Sequence, residues 1–369
     1  MHGNHLLKIA FGIAIAVALN GAAVAKDYYF YTGLDYGSQG TYNPLSVILN
    51  GGFDIFQTRT DHEVFKYPYK TAFSNVIDNL GHADAVVKYY GGRNFFSEQI
   101  FPLTTDMKKW AWWPNYSLHL IGGGVEWAML HEFFTYHNIP VPWLWGTLTY
   151  WSYHFLNEAV ENGKYQGKSV DSIADIYIFD LLGQLLFSIP AVRKFFGGTL
   201  HMTDWSMLPT FVFPGAKLEN TGQYFSLKLL IPIPKNEIAH LFAYYGLNVI
   251  VGLSFKLIDG YSLSFGAGAR AKKVTQLASM RFTQSINYVY SGGIFLDRND
   301  SLLASLIVNT NYYHLVQLNV YPGIFRMPHV ALGFWINVSD RGKVMFGVMC
   351  RYIPGVGFRE ANYYPQKLF

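Results

Sequence analysis

The feature that most constrains the fold is a strict two-residue alternation of side-chain character in the second half of the chain. Residues 245–257 alternate large apolar side chains with small or polar ones, and the pattern recurs at 261–270 and 329–338. Successive side chains of a β-strand point to opposite faces, so these runs predict strands with one apolar face and one small or polar face. Turn residues at 259–260 and 339–342 separate the runs, as in antiparallel hairpins.

The alternation predicts about eight strands that close into an antiparallel transmembrane β-barrel. Long strands, small residues on the interior face, aromatic residues near strand ends and the final Phe369 favour this interpretation. A soluble antiparallel sandwich has the same alternation and is the alternative. The strands are predicted at 223–232, 242–257, 261–273, 279–296, 301–310, 312–321, 329–338 and 343–354.

The composition favours a protein that faces lipid. Hydrophobic residues make up 51% of the chain and charged residues only 14%, against roughly 25% charged in ordinary soluble domains. The net charge of +4 is small and no Lys/Arg cluster occurs, which makes nucleic acid an unlikely class of partner. A single cysteine, Cys350, excludes an internal disulfide but not export.

The first 25 residues predict a secretory signal peptide. Lys8 supplies the positive start, residues 9–22 are apolar, and Ala23-Val24-Ala25 matches a cleavage site. An uncleaved membrane anchor is the alternative, although the apolar run is shorter than the roughly 20 residues of a spanning helix. With no following cysteine for a lipid, the predicted location is the outer membrane of a diderm bacterium.

The spacing of apolar side chains changes along the chain from a helical period of 3.6 residues to a strand period of 2. This change predicts an α+β protein with an N-terminal helical domain before the barrel. The predicted parts are the signal peptide at 1–25, a strand, loop and helix region at 26–109, a helical domain at 110–200 and the barrel at 215–369. A helix is predicted near 71–91, and three more at 114–137, 143–161 and 170–187. Charged residues interrupt the last three, which favours a packed or surface-lying bundle rather than membrane spans.

Ionisable residues lie within the apolar helical patterns, where they need partners. The candidate site residues are His119, Glu126, His154, Glu158 and Asp175. Such side chains can bind a metal ion or act as general acid and base. The alternative is a structural polar network that holds the helices in register. His131 and His137 are six residues apart, so residues 131–137 do not form the H-E-x-x-H zinc motif.

The helical part resembles several bacterial envelope families, including the VanZ-like proteins. Their pattern is a His on one helix, a Glu that ends another, then Ser-x-x-Asp and a Gly one or two turns later. It is matched here at His119 or His154, Glu158, Ser172-Ile173-Ala174-Asp175 and Gly183, with Asp180 where Asn is usual. The resemblance excludes the barrel and implies a related helical hairpin, not a reaction.

These observations predict an outer-membrane envelope protein with a barrel and a periplasmic helical domain, without an assigned reaction. The alternative is a membrane lipid-modifying hydrolase or transferase that uses the helical cluster. Membrane lipid is the predicted partner, and another envelope protein is possible. A channel is disfavoured, because side chains fill the interior of an eight-strand barrel. The sequence predicts no particular cofactor, metal ion or oligomeric state.

Overall fold

The computed structural model describes residues 28–102, 112–235, 237–276, 284–327, 330–351 and 353–364. The predicted signal peptide and Phe369 lie outside these residues. The chain divides into two compact units, one centred on Tyr67–Lys194 and the other on Tyr29–Lys66, Phe195–Lys273 and Asn287–Phe369. The first unit is helical and the second is built on a large sheet, which confirms the predicted α+β class.

The α-helices lie in the helical unit and in the N-terminal segment of the sheet unit, Tyr29–Lys66. Four helical stretches among the described residues are of the wider π type: Phe96–Ile100, Trp113–Gly122, Asp175–Asp180 and Lys194–Thr199. The helices are α1 (Gly37–Thr41), α2 (Pro44–Gly52), α3 (Tyr69–Gly81), α4 (Ala83–Tyr90), α5 (Gly92–Phe95), α6 (Gly123–Tyr136), α7 (Pro142–Asn162), α8 (Asp171–Phe187) and α9 (Pro190–Arg193).

The three predicted helices of the helical domain agree with α6, α7 and α8 in position. Pro142 occupies the first turn of α7, where its missing N–H costs nothing, and Gly163 follows its end with a φ of 58°. The single helix predicted near 71–91 is instead two helices, α3 and α4, which meet at His82. No single helix in the described part of the chain is long and apolar enough to cross a bilayer. Only Asp171–Phe187 together with Pro190–Thr199, a pair bent by 88°, passes that test.

The strands of the second unit form one extended sheet. The described strands are β1 (Thr203–Asp204), β2 (Thr210–Phe213), β3 (Lys217–Glu219), β4 (Phe225–Leu230), β5 (Ala239–Tyr245), β6 (Asn248–Lys256), β7 (Tyr261–Gln276), β8 (Gln284–Arg298), β9 (Ser301–Asn309), β10 (Val316–Val320), β11 (Arg326–Met327), β12 (Val330–Val338), β13 (Val344–Cys350) and β14 (Ile353–Arg359). Their order in the sheet is β1-β4-β5-β6-β7-β8-β9-β10-β12-β13-β14-β2-β3, with β11 paired to β12. The strand pairs whose register the structure describes are antiparallel, except for the parallel pair β14 and β2.

The long strand predicted at 242–257 is a hairpin, β5 and β6. Tyr244 pairs with Ile250, and Gly246 N–H donates to Asn248 O at the turn. Because the two paired residues are an even number apart, both point to the same face, and the alternation continues through the turn unchanged. The periodicity therefore predicted the faces correctly and missed the reversal.

The predicted closed barrel of about eight strands is not observed among the described residues. The described residues form fourteen strands in an open sheet, whose edge strands are β1 and β3. The irregular stretch around these ends contains Pro209 and Pro214, and proline has no N–H to give to a ladder. Residues between β1 and β2 still continue both neighbouring ladders: Trp205 N–H donates to Tyr224 O, and Gly355 N–H donates to Pro209 O.

The N-terminal segment of the sheet unit covers polar side chains of the sheet. Residues 28–60 contain α1, α2 and a 3₁₀ turn, and not the strand predicted at their start. Asn43 caps α2 by accepting from Leu45 N–H and Ser46 N–H. Gln57 Oε1 accepts from Arg270 Nη2 at 2.8 Å, while Arg270 Nη1 donates to Gln317 Oε1 at 2.6 Å. Both Nη atoms of this buried guanidinium are thus paired, one with the segment and one with the sheet.

The face of the sheet away from this segment carries two rows of apolar side chains. Within each row, every residue is paired directly with the next one on the neighbouring strand. The exposed members of these rows range from 37% exposed at Ile336 to 56% at Phe358. The other face packs on the hydrophobic core of the unit, with Trp205, Phe295 and Trp335 among its members, and also buries charged groups such as Lys228 and Asp297, whose Nζ and Oδ1 atoms are 2.7 Å apart. One row is Leu229, Leu241, Leu253 and Phe265, and another is Ile294, Leu306, Leu318, Ile336, Phe346 and Phe358.

Candidate functional site

Five ionisable side chains from three helical segments meet inside the helical unit. His119 comes from the π-helical stretch before α6, His154 and Glu158 from α7, and Asp175 and Asp180 from α8. His119 Nδ1 lies 3.1 Å from Asp180 Oδ1, and His154 Nδ1 lies 2.9 Å from Asp180 Oδ2. One carboxylate therefore faces the same nitrogen of two imidazole rings.

The π-helical turn in α8 explains how Asp175 and Asp180 reach one site. With 3.6 residues per turn, residues five apart in an α-helix point about 140° away from each other. A π turn, with hydrogen bonds from i to i+5, brings such residues to nearly the same face. Both carboxylates therefore lie beside His119, whose Nε2 is 3.8 Å from Asp175 Oδ2.

Gly183 sets how closely α8 packs against the segment that carries His119. A Cβ atom at this position would stand 2.6 Å from Leu120 O and 3.2 Å from His119 O. Such approaches are shorter than van der Waals contact, so the two backbones meet only because residue 183 has no side chain. The glycine of the VanZ-like pattern thus has a packing role at this position.

Burial raises the pKa values of two of the carboxyl groups. Burial raises the pKa of Glu158 well above its usual value, and the charge of Asp175 adds to the effect. The pKa of Asp175 is also raised well above its usual value by burial, although the imidazolium of His119 opposes the shift. Both carboxyl groups therefore take up a proton more readily than exposed carboxyls do.

In His119, His154 and Asp180, burial and the neighbouring charges shift the pKa in opposite directions. Burial would lower the pKa of His119, but the carboxylates of Asp175 and Asp180 outweigh it and hold that pKa well above its usual value. Burial would raise the pKa of Asp180, yet His154 and His119 lower it. For His154 burial prevails over the attraction of Asp180 and the pKa is lowered. The cluster therefore combines an imidazolium–carboxylate pair with a neutral imidazole.

Three buried polar atoms of the cluster have no hydrogen-bond partner among the described residues. They are His154 Nε2, Asp175 Oδ1 and Asp180 Oδ2, and their residues are 4%, 4% and 0% exposed. Asp180 Oδ2 nevertheless lies 2.9 Å from His154 Nδ1 as an ion pair. Buried polar atoms in folded proteins are nearly always paired, because an unpaired one costs about 1–3 kcal/mol. A purely structural network would be expected to satisfy them.

Two overlapping sets of side chains in the described residues have ligand atoms close enough to hold one metal ion. One set is His119, His154 and Asp180, the other is His119, Glu158 and Asp175, and the atoms of each set lie within 4.8 Å of one another. Glu126, the remaining candidate from the sequence, is fully buried in α6 and belongs to neither set.

His131 also lies outside both sets. Its Nε2 is 3.3 Å from Thr147 Oγ1. Burial, helped by the charge of Arg193, lowers its pKa to about 3.

Asp180 is the central residue of the cluster that sequence reasoning did not include among the site candidates. The helical period places it away from Asp175, since that period assumes an uninterrupted α-helix. The signal that pointed to it was its position in the VanZ-like pattern, where Asn is usual.

Comparison with known proteins finds no matching family model, no matching curated protein and no matching solved structure. The resemblance of the helical hairpin to the VanZ-like proteins therefore stays a prediction from the sequence.

Proposed function

We propose that the chain is an outer-membrane envelope protein whose sheet contacts lipid through its apolar face and whose helical unit lies in the periplasm. The observation that carries the proposal is a second apolar face of the sheet, which is exposed, in addition to the face that packs on the buried core. Large apolar side chains such as Leu241 and Phe358 are 51% and 56% exposed, while Lys228, Arg270 and Asp297 are buried on the other face. In a sheet that faces water on one side, the exposed face carries mostly polar side chains instead.

The extent of the apolar face supports lipid as its partner. Its two rows cross ten strands, from β4 to β7 and from β8 to β14 without β11. Monomeric soluble proteins rarely expose apolar patches larger than a few hundred Å², and eight of the ten side chains in these rows are more than a third exposed. A band of outward apolar residues is what a membrane-embedded sheet requires.

The ends of the sheet are compatible with this placement. Lipid offers no hydrogen bonds, so unpaired backbone groups are costly there. The stretch Thr203–Phe213 pairs with β4 through Thr203 and Asp204 and with β14 through Thr210–Phe213. In β3, Leu218 N–H donates to His62 O. Backbone groups near both edges of the sheet therefore have hydrogen-bond partners.

Fractionation of a bacterial host that expresses the full chain tests the proposal. We expect the protein in the outer-membrane fraction, resistant to alkaline carbonate and extracted only by detergent. A matched chain without residues 2–25 should stay in the cytoplasm, since it lacks the predicted signal peptide. Recovery of the full chain as a soluble periplasmic protein would contradict the membrane placement and favour the soluble alternative.

A second candidate function is a lipid-modifying hydrolase or transferase that uses the cluster of the helical unit. It is favoured by the unpartnered atoms His154 Nε2 and Asp175 Oδ1, because a site that awaits a ligand leaves donors and acceptors free. Glu158, as a buried acid near His119, is placed to donate a proton to a leaving group.

Lipid profiles of cells that express Glu158→Gln test this candidate. Glutamine keeps the shape of the neutral acid but cannot give up a proton, so we expect the fold to persist and any lipid change caused by the wild-type protein to disappear. Glu132→Gln, at another buried glutamate of the same unit, is the control and should behave as wild type. Equal lipid profiles for cells with wild-type protein and with Glu158→Gln would reject the candidate.

A further inference from the structure

We propose that His119, Glu158 and Asp175 bind one divalent transition-metal ion in the helical unit, with Asp180 orienting the His119 ring. The inference does not depend on the membrane proposal, since all four residues belong to the helical unit. It is carried by the spacing of the ligand atoms, the hydrogen bond behind His119 and an unpartnered carboxylate oxygen.

The spacing of the ligand atoms leaves room for an ion between them. His119 Nε2 and Asp175 Oδ2 are 3.8 Å apart, which is longer than a hydrogen bond. Two ligands about 2.1 Å from a tetrahedral metal ion lie about 3.4 Å from each other. The three candidate atoms all lie within 4.8 Å, so small carboxylate rotations complete the set.

The contact behind His119 is the one that metal-binding histidines use. In most metal sites the ring nitrogen that does not bind the metal donates to a carboxylate or carbonyl, which fixes the ring orientation. His119 Nδ1 lies 3.1 Å from Asp180 Oδ1, and its Nε2 points to the Asp175 side. For this reason the set with Glu158 and Asp175 is preferred over the set in which Asp180 is itself a ligand.

The unpartnered oxygen is an independent sign that something is bound. Asp175 Oδ1 is buried and has no hydrogen-bond partner among the described residues. A divalent cation would satisfy this carboxylate and offset the negative charge of Glu158 and Asp175 once both are ionised. The side chain of His119 is 13% exposed, against 6% for Asp175, which gives the site a solvent-facing side.

The donor set selects the class of metal. One imidazole nitrogen and two carboxylates suit Zn²⁺ or Mn²⁺, whereas Mg²⁺ prefers oxygen ligands alone. Three protein ligands leave at least one position for water or substrate, as in catalytic rather than structural zinc sites. A bound water there would be a nucleophile of lowered pKa.

Metal titration of the full-length purified protein tests the site. After treatment with EDTA and its removal, the wild type is titrated with ZnCl₂, MnCl₂ and MgCl₂ by calorimetry. We expect one Zn²⁺ or Mn²⁺ per chain and weaker binding of Mg²⁺. Glu158→Gln and Asp175→Asn should weaken binding about 100-fold or more, and Asp180→Asn about 10–100-fold, as for partners of metal ligands. Glu132→Gln is the buried control and should keep wild-type affinity.

Failure of the wild type to bind Zn²⁺ or Mn²⁺ would overturn the proposal, and so would equal losses for Glu158→Gln and Glu132→Gln. Circular dichroism of each variant identifies those that do not fold. X-ray absorption of the Zn²⁺-loaded wild type keeps the test independent of variants. A shell with one imidazole and oxygen ligands supports the site, whereas a shell without imidazole overturns it.

Discussion

Arginine at both Leu306 and Phe346 is expected to prevent assembly of the protein in the outer membrane. The two residues lie on β9 and β13, in the same row of the apolar face. Arginine on the lipid face of a membrane sheet costs about 2–4 kcal/mol near the middle of the bilayer. The two sites are separated by two strands, so their costs add to about 4–8 kcal/mol. That is comparable to the total stability of a typical domain, about 5–15 kcal/mol.

The same double variant has a small effect if the apolar face meets water. Leu306 and Phe346 are already 38% and 44% exposed, and exposed substitutions usually change stability by less than about 0.5 kcal/mol. The measurement is the amount of protein in the outer-membrane fraction and its resistance to added protease. Ile258→Arg is the control, because Ile258 lies in the turn between β6 and β7 and is 81% exposed. Normal assembly of the double variant would remove the basis of the membrane proposal.

The faces of the sheet were predictable from the sequence because they depend only on local geometry. A strand alternates its side chains whatever it packs against, so the period predicted which residues share a face. The order and number of strands depend on contacts far apart in the chain. β14 contains Pro354, Gly355 and Gly357, and β1 has only two residues, so neither has the alternation that marks a strand.

The helical cluster was predictable only in part, for a comparable reason. His154 and Glu158 are four residues apart on α7, so an α-helical period places them on one face. Asp175 and Asp180 are five residues apart and share a face only through the π turn of α8. No residue of the turn has a side chain that marks it as π-helical in the sequence. His119 joins the others through packing at Gly183, which is a tertiary contact.

Asp180→Asn is expected to have the largest effect on the stability of the helical unit. Asp180 is 0% exposed and is the carboxylate that faces both His119 and His154. Removal of one partner from a buried ion pair costs about 3–5 kcal/mol, since it leaves the other charge uncompensated. We therefore expect urea to unfold the helical unit of the variant at a much lower concentration, measured by circular dichroism at pH 7 with EDTA present.

The loss of stability in Asp180→Asn should also depend on pH. The pKa of Asp180 is lower in the folded protein than its usual value of 3.8, so its contribution to stability is present above that value and is lost as the pH falls through the folded pKa. The difference between wild type and Asp180→Asn should be full at pH 7 and should shrink in more acidic solution. Asp171→Asn, in the first turn of α8, is the control. Its expected loss is about 1 kcal/mol or less, because the charge that it removes is partly exposed and lies in the first turn of a helix. A loss for Asp180→Asn no larger than for Asp171→Asn would mean that the two histidines do not depend on Asp180 for their charge balance.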